Sequence, residues 1–205
     1  MEIVFGVVGP ASRAELAQNT VHDLRDLPTA KGWDNQLHNE PAVRLSWQRK
    51  WRLLNDRKLC GPLGYDFISR AGLTLGNVRI STSTGGEVRF GYNIPEDFGS
   101  DVIRPGAGVS APVIEGSKPG TTSWGTHIFA SSQIEAVAHD IFLDGNTWRD
   151  SQSVDKKPLV GDLSLGVSYN INRFKLTYRH LFRTEQFDKQ ERGHTIGSLT
   201  LVLSF

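Results

Sequence analysis

Apolar and polar residues alternate along most of this chain with a period of two, the pattern of β-strands. In "LVGDLSLGVSY", Leu163 and Leu165 fall on one face of the predicted strand and Ser164 on the other. The same alternation runs through "VRLSWQRKW", "EVRFGYNI", "FKLTYRHLF" and "SLTLVLSF". Clean alternation is typical of antiparallel strands with two chemically different faces. The predicted fold class is therefore all-β.

The alternating segments predict one domain, residues 1–205, built as an antiparallel up-and-down barrel wall. Gly85 and Gly86 are interpreted as a hairpin turn between two strands. "NDRKL" and "YNIN" are interpreted as short turns at one end of the barrel, and residues 95–123 as a long Gly- and Pro-rich loop at that end. The eight predicted strands are 2–8, 42–54, 64–82, 86–94, 124–142, 158–169, 173–183 and 195–205.

The apolar face of these strands has two possible surroundings. A soluble sandwich or barrel would turn it inward, whereas a transmembrane barrel would turn it to lipid and place the polar face in the lumen. Several strands have the length of nine to eleven residues that a tilted strand needs to cross a bilayer. Aromatic residues lie towards strand ends, as at a bilayer interface: Trp51, Tyr65, Tyr169 and Phe205. These features favour the transmembrane barrel.

The amino-acid composition excludes some classes of protein and gives no support to others. The chain has 23 basic and 22 acidic residues, so its bulk charge gives no reason to expect nucleic acid as a partner. Its single cysteine, Cys60, excludes an intrachain disulfide framework. No apolar run reaches the length of a transmembrane helix. The opening "MEIVFGVVGP" lacks the features of a signal peptide.

One segment departs from the alternation and predicts a helix over residues 12–27. Ser12 and Glu15 have the spacing of a capping box, and Pro28 ends the pattern. An apolar stripe at spacings of three and four residues predicts the face that packs on the barrel: Ala14, Ala17, Val21 and Leu24.

The polar face of this helix carries Gln18, His22 and Arg25. A histidine there is either part of a solvated surface or a general base, since imidazole titrates near neutral pH. Gln18, Asn19 and Asp23 are candidates to orient it, and Arg25 is a candidate to bind an anionic group. The sequence has no GxSxG motif, which favours attack by an activated water over an acyl-enzyme.

Six stretches carry a family resemblance: "VVGPASRAELAQNTVHDL", "GWDNQLHNEP", "RAGLTLGNV", "DIFLDGNTWRDS", "VDKKPLVGDL" and "LTYRHLFRTEQF". Together, in this order, they resemble the outer-membrane lipid A 3′-O-deacylase family. The resemblance implies a twelve-stranded barrel in the outer membrane of Gram-negative bacteria. It implies hydrolysis of the 3′-linked acyloxyacyl chain of lipid A, with calcium as cofactor and lipopolysaccharide as substrate. It further implies contact with outer-membrane lipids and a monomer.

The resemblance also implies roles for individual residues. It places the catalytic histidine on His22, the glutamine near it on Gln18, and a basic substrate-binding residue on Arg25. An acidic residue is expected a little beyond the histidine, where this sequence has Pro28. The nearest acidic residues are Asp23 and Asp26. The calcium ligands, a signal peptide and the remaining strands are expected in an N-terminal part, so no metal ligand is assigned in this sequence.

Two alternatives stay open beside the deacylase. One is a truncated remnant of a barrel of the same family, with no bound metal and no catalytic activity. The other is a soluble β-domain that binds sugars through the "GWDNQLHNEP" region, a cluster for which a structural role in tying the helix to the barrel is the competing interpretation. The candidate sugar-binding residues are Trp33, Asn35, Gln36, His38, Asn39 and Glu40.

Overall fold

The computed structural model describes residues 1–100 and 124–203, except for the side chains of residues 55–58. This part forms an eight-stranded sheet whose order follows the chain, and every neighbouring pair is antiparallel. No helix within it is long and apolar enough to cross a membrane. The elements are β1 (Glu2–Val8), α1 (Ala14–Leu24), β2 (Glu40–Cys60), β3 (Leu63–Gly76), β4 (Arg79–Tyr92), β5 (Trp124–Asp140), α2 (Ile141–Asp144), β6 (Leu159–Ile171), β7 (Phe174–Arg183) and β8 (His194–Leu203).

The sheet curls into part of a barrel. Arg179 of β7 reaches Glu87 of β4, with 3.4 Å between Nη2 and Oε2, although the two strands are three places apart in the sheet. In a flat sheet three strand spacings would separate them by roughly 14 Å. Within the described residues β1 pairs with β2 and β8 pairs with β7, so these two strands form the edges. The predicted all-β up-and-down barrel architecture is confirmed.

The two faces of the curled sheet have the polarity of a membrane barrel. The convex face exposes apolar residues: Val88, Phe90, Ile128, Ile134, Leu163, Leu165, Val167, Tyr169, Leu176, Tyr178, Leu199 and Leu201. The concave face buries polar and charged ones: Asp66, Glu87, Arg89, His127, Ser131, Gln133, Ser164, Ser168, Asn170, Lys175, Thr177 and Arg179. A soluble sheet shows the reverse, because water rather than lipid then meets its outer face.

The predicted turn at Gly85 and Gly86 is wrong. Both glycines lie inside β4, and the hairpin turn falls instead at Asn77 and Val78, between β3 and β4. The glycines are there because the strand is crowded: a Cβ on Gly86 would come within 2.8 Å of the ring of Phe67. Glycine is favoured in turns and also where strands pack closely. A pair of glycines therefore does not by itself locate a turn.

The inner turn predicted at "NDRKL" is also wrong. β2 continues through these residues to Cys60, and Gly61, at φ 54, turns the chain into β3. β2 is thus 21 residues long, well beyond the predicted strand. Of the loop predicted over residues 95–123, residues 101–123 lie outside the described residues, as does the terminal aromatic Phe205.

Helix α1 forms where the periodicity predicts it but begins differently. Arg13 is its N-cap, in the left-handed conformation at φ 54, and Ser12 belongs to a preceding 3₁₀ turn in which its hydroxyl bonds the Gly9 carbonyl. The capping box is therefore wrong. The predicted packing face is wrong as well, because no residue of the helix is buried and Val21 and Leu24 are exposed. The helix projects from the rim of the described sheet.

A buried ion network crosses the concave face at the end opposite α1. The carboxylate of Asp97, which follows β4, bonds both Arg89 and Lys175, and all three side chains are buried. Arg89 also donates to Asp66, with 2.8 Å between Nε and Oδ1. Arg52 donates to the Asp97 carbonyl oxygen. Donors from β2, β4 and β7 thus converge on Asp97, and Asp66 of β3 joins the network through Arg89.

Ile134 and Gln133, neighbours on β5, give a matched test of the two faces. Ile134 is 58% exposed on the convex side, whereas Gln133 is 4% exposed and lies opposite Asp162 on the concave side. We expect Ile134→Arg to lower the free energy of unfolding by ~2–4 kcal/mol, because lipid solvates a cation poorly. Gln133→Arg is expected to cost less than Ile134→Arg, because its side chain lies on the polar concave side and not against lipid. Urea unfolding in lipid vesicles measures both, and equal costs would contradict a lipid-facing convex side.

Asp97→Asn is expected to destabilise the barrel by about 3–5 kcal/mol, because it leaves Lys175 buried without its carboxylate partner. The matched control is Asp150→Asn at an exposed position, with an expected change within about 0.5 kcal/mol. Both values come from denaturant midpoints in the same detergent. A loss below about 1 kcal/mol for Asp97→Asn would show that the network contributes no net stability.

Candidate functional site

The segments that carry the predicted site residues meet at one end of the sheet. Strands of alternating direction bring four connections to this end, which we call the helix end: residues 9–39, the turn at 77–78, residues 141–158 and residues 184–193. The opposite end carries the turns at 61–62 and 172–173. Antiparallel order thus gathers residues far apart in sequence around α1.

His22 lies in the last turn of α1 and is oriented by a backbone carbonyl. Its Nδ1 is 2.6 Å from the carbonyl oxygen of Pro28. The helix ends in a Schellman motif: the Leu27 N–H bonds the His22 carbonyl at 2.9 Å, and Asp26 takes the left-handed conformation at φ 51. This reversal carries Pro28 back alongside the imidazole of the half-buried His22.

That contact fixes what the imidazole can do. A carbonyl oxygen only accepts hydrogen bonds, so the neutral ring carries its proton on Nδ1 and leaves the Nε2 lone pair free. A ring held in this tautomer is arranged to take a proton at Nε2. The predicted orienting groups were all side chains, and Pro28 was missed because a backbone acceptor leaves no residue-type signal.

The other predicted site residues are only partly brought together. Gln18 lies one turn before His22 on the same face of α1, and its side chain is exposed. Arg25 is the C-cap at φ −115, with an exposed side chain, so it has left the helical face. Asp23 is exposed, and Asn19 has a buried Oδ1 without a hydrogen-bond partner among the described residues. Among the described residues His22 is hydrogen-bonded to Pro28 and to none of its three predicted orienting side chains, Gln18, Asn19 and Asp23.

A rim network around Glu40 fastens the connections of the helix end. Glu40 is 4% exposed, and its Oε2 accepts from the Asn146 side chain at 3.0 Å and from the Thr147 N–H at 2.9 Å. Its Oε1 accepts from Asn77 Nδ2 at 2.8 Å. One carboxylate therefore joins the start of β2, the β3–β4 turn and the segment after α2. We call Glu40, Asn77, Asn146 and Thr147 the rim network.

The same network holds the approach to α1. The side chain of Asn146 pairs with the backbone of His38 through two hydrogen bonds, 2.8 Å at the N–H and 2.9 Å at the carbonyl. The Asn39 side chain accepts from the Ala11 N–H at 2.7 Å. Gly9, at φ 94, packs so closely on this backbone that a Cβ would lie 2.7 Å from the His38 carbonyl carbon. These contacts support a structural role for the "GWDNQLHNEP" region over a sugar-binding one.

Asp144 forms a second anchor in the segment between β5 and β6. Its carboxylate bonds Lys156 at 2.7 Å and lies 3.2 Å from His139 Nδ1. Partial burial acts to raise the pKa of Asp144, but the hydrogen bond from Lys156 and that from the Asp140 N–H outweigh it and hold the pKa below its usual range. Lys156 also forms a β-bridge with Phe187, so the last two connections of the helix end are tied together.

Below the rim network, the concave face opens into a cleft of about 210 Å³. Two arginines on its wall are neutralised by acids. Arg79 bonds Asp140 and also Glu135, with 3.1 Å between Nε and Oε1. Arg183 forms a bidentate pair with Asp162, both distances 2.8 Å.

The described residues do not assemble a calcium site. No group of three or more His, Cys, Asp or Glu side chains that could hold a metal ion occurs within residues 1–100 and 124–203. Three acids at the helix end are already committed to other partners: Glu40 to amide and backbone donors, Asp144 to Lys156, and Asp140 to Arg79. Calcium needs six to eight oxygen ligands, so no chemical step is assigned to it here.

Comparisons with known proteins agree with this architecture. The family model described as "Outer membrane protein LpxR" matches residues 1–205. The solved structure of LpxR from Salmonella typhimurium superimposes with a TM-score of 0.77 at 18% sequence identity, covering 99% of this chain and 66% of that chain. This chain thus spans just under two thirds of that structure's length, and at this identity the likeness shows the fold alone. A comparison with curated proteins found no match.

We expect Glu40→Gln to loosen the rim network. The substituted amide keeps the shape but presents a donor where Glu40 now accepts from both sides, leaving a buried N–H without a partner at a local cost of about 1–3 kcal/mol. Hydrogen exchange at the Thr147 amide, which bonds Glu40, is expected to quicken by about tenfold or more. Glu15→Gln on exposed α1 is the control, and unchanged exchange in Glu40→Gln would contradict the role of the carboxylate.

Proposed function

Because the chain belongs to the LpxR family of outer membrane proteins, we propose that it provides the general-base side of a site that hydrolyses the 3′-linked acyloxyacyl chain of lipid A. The observation that carries this proposal is the 2.6 Å contact between His22 Nδ1 and the Pro28 carbonyl on the rim helix. This contact leaves Nε2 as a proton acceptor at the helix end of the barrel, where we expect the lipid headgroup to bind. The family and the lipid-facing barrel support the substrate class, and the orientation of the histidine supports the reaction class.

The proposed step starts with a water molecule bound at His22 Nε2. The imidazole takes a proton as the water oxygen attacks the ester carbonyl carbon, and the Pro28 carbonyl stabilises the imidazolium that forms. When the acyl C–O bond breaks, the imidazolium returns its proton to the leaving sugar oxygen. The products are the acyloxyacyl fatty acid, which carries the water oxygen in its carboxyl group, and a lipid A hydroxyl, so atoms and charge balance without a covalent enzyme intermediate.

Two further residues have proposed roles in binding. Gln18, one helical turn before His22 and exposed on the same face, is positioned to hydrogen-bond the attacking water or the ester. Arg25, exposed beyond the helix end, supplies a cation for an anionic group of the substrate. Calcium, when bound, would polarise the ester carbonyl, and the described residues do not provide its ligands. Calcium dependence therefore stays a prediction.

The test compares two histidines at the same end of the barrel. In the full-length protein in outer-membrane vesicles, His22→Ala is expected to lower release of 3′-linked acyl chains by at least about a hundredfold, the usual contribution of a general base. His38→Ala is the matched control, because the two hydrogen bonds that join His38 to Asn146 are made by its backbone and survive the substitution. Mass spectrometry of lipid A reads out both.

Each outcome has a separate meaning. Activity lost with His22→Ala and kept with His38→Ala supports the proposal. Equal activity in His22→Ala and wild type removes His22 from the mechanism. A wild-type protein that inserts and folds but releases no acyl chain, with calcium present, supports the alternative of a barrel without catalytic activity.

A further inference from the structure

The chain that follows β4 turns back into the concave side of the barrel. We call residues 94–100 the strap, and within it Asp97 and Ser100 are each 1% exposed. The charged side chains that meet the strap are just as enclosed, with Arg89 at 0% and Lys175 at 2%. Connections between strands normally run over the surface, because water then satisfies their backbone polar groups. The strap is therefore an unusual connection that fills a section of the lumen.

The strap is bound by strands that are not neighbours in the sheet. The Asp97 carboxylate bonds Arg89 of β4 and Lys175 of β7. Arg52 of β2 donates to the carbonyl oxygen of Asp97 and to that of Pro95, the latter at 3.2 Å. Four other strands lie between β2 and β7 in the order of the sheet. The strap thus spans the concave side and does not lie along one wall.

The second half of the strap is closely fitted to the wall. Ser100 donates twice to Glu87 Oε1, from its N–H at 2.9 Å and from its hydroxyl at 3.2 Å. Gly99 has a φ of 87, a conformation that suits glycine. A Cβ on Gly99 would lie 2.9 Å from Glu87 Oε1 and 3.2 Å from Ile68 Cδ1. The absence of a side chain at position 99 therefore lets the strap approach β3 and β4.

Asp97 supplies a negative charge that this section of the wall lacks. Its ion-pair network contains one other acid, Asp66, and three cations: Arg52, Arg89 and Lys175. The neighbouring pair of Glu87 with an arginine adds no net charge. Without Asp97, the described wall at this level would carry two more positive than negative charges. A lumen lined in this way attracts anions and repels cations.

We propose that the strap is a built-in plug that closes the barrel to small inorganic ions, and that its displacement opens a passage selective for anions such as chloride. Asp97 takes the place of a mobile counterion, so the barrel rests in the closed state. The contacts that hold the strap lie at the end of the barrel opposite α1. The plug therefore does not depend on the proposed hydrolysis at His22.

The test measures chloride efflux from lipid vesicles that contain the full-length protein and an entrapped chloride indicator. Asp97→Lys places a cation beside Arg89 and Lys175, which expels the strap, and chloride efflux is expected to rise at least about tenfold above wild type. Asp150→Lys is the matched control, because it makes the same change of charge at an exposed position of the helix end. Its efflux is expected to equal that of wild type, and circular dichroism checks the fold of each protein.

A second variant displaces the strap without changing any charge. Gly99→Val puts a branched side chain where φ is 87 and where a Cβ already meets Glu87 and Ile68, so the strap cannot keep its position. The ion pairs of the wall remain available in this variant, which keeps the test valid if Asp97→Lys does not fold. Chloride efflux is expected to rise by about tenfold or more here as well.

A charge swap tests the pair between the strap and β7. Asp97→Lys combined with Lys175→Asp restores opposite charges at the two positions and leaves the net charge of the wild type. Efflux is expected to return to within about twofold of the wild-type rate, because the ion pair is formed again with its charges exchanged. Efflux as fast as in Asp97→Lys alone would contradict the role of this pair in closing the barrel.

Ion selectivity is measured from reversal potentials across planar bilayers in a gradient of potassium chloride. The passage in Gly99→Val or Asp97→Lys is expected to favour chloride over potassium by at least about threefold. A preference for potassium would overturn the anion part of the proposal. The plug itself would be overturned by wild-type efflux as fast as that of the variants, or by folded variants as tight as wild type. All these measurements record ion flow, so failure of the hydrolysis proposal would not affect them.

Discussion

Lipid offers no hydrogen bonds, and this constraint shapes the whole described sheet. Each backbone group that meets hydrocarbon must find its partner on a neighbouring strand, so the chain runs up and down in strict sequence order. Side chains then sort by solvent: apolar residues cover the convex face, while arginines, lysines and acids are confined to the concave one. Because these charged side chains share the concave face, they form ion pairs with one another across the lumen. The curl that lets Arg179 meet Glu87 follows from the same demand.

The fold was predictable because alternation reports which face of a strand a residue occupies. Strands 124–142, 173–183 and 195–205 were placed within a few residues of β5, β7 and β8. The errors lie where one residue type serves two purposes. Gly85 and Gly86 relieve crowding inside β4, and the real turn carries Asn77, whose side chain binds Glu40 and thus the rim. A sequence cannot distinguish a glycine that turns the chain from one that makes room for a ring.

The candidate site was predictable only in its helix and its histidine. The spacing of Gln18 and His22 places both on one face of α1, and the family resemblance implies their roles. The partner of His22 was not predictable from residue types, because it is a main-chain oxygen brought into place by a left-handed Asp26 and a chain reversal. The rim network was hidden for a related reason: Glu40 and Asn146 are 106 positions apart, and only the sheet brings them together.

The Pro28 carbonyl has a consequence for how this protein can change. A side-chain carboxylate that orients a histidine is lost by a single amino-acid substitution. A backbone carbonyl oxygen is kept whichever amino acid occupies the position. Selection at position 28 would therefore act on the path of the backbone rather than on the chemistry of a side chain. The residue that matters most for keeping that path is Asp26, since a left-handed conformation is easiest for glycine, asparagine and aspartate. The orientation of the imidazole would then depend on the backbone conformation of this turn. The residue type at position 28 would be free to vary among family members.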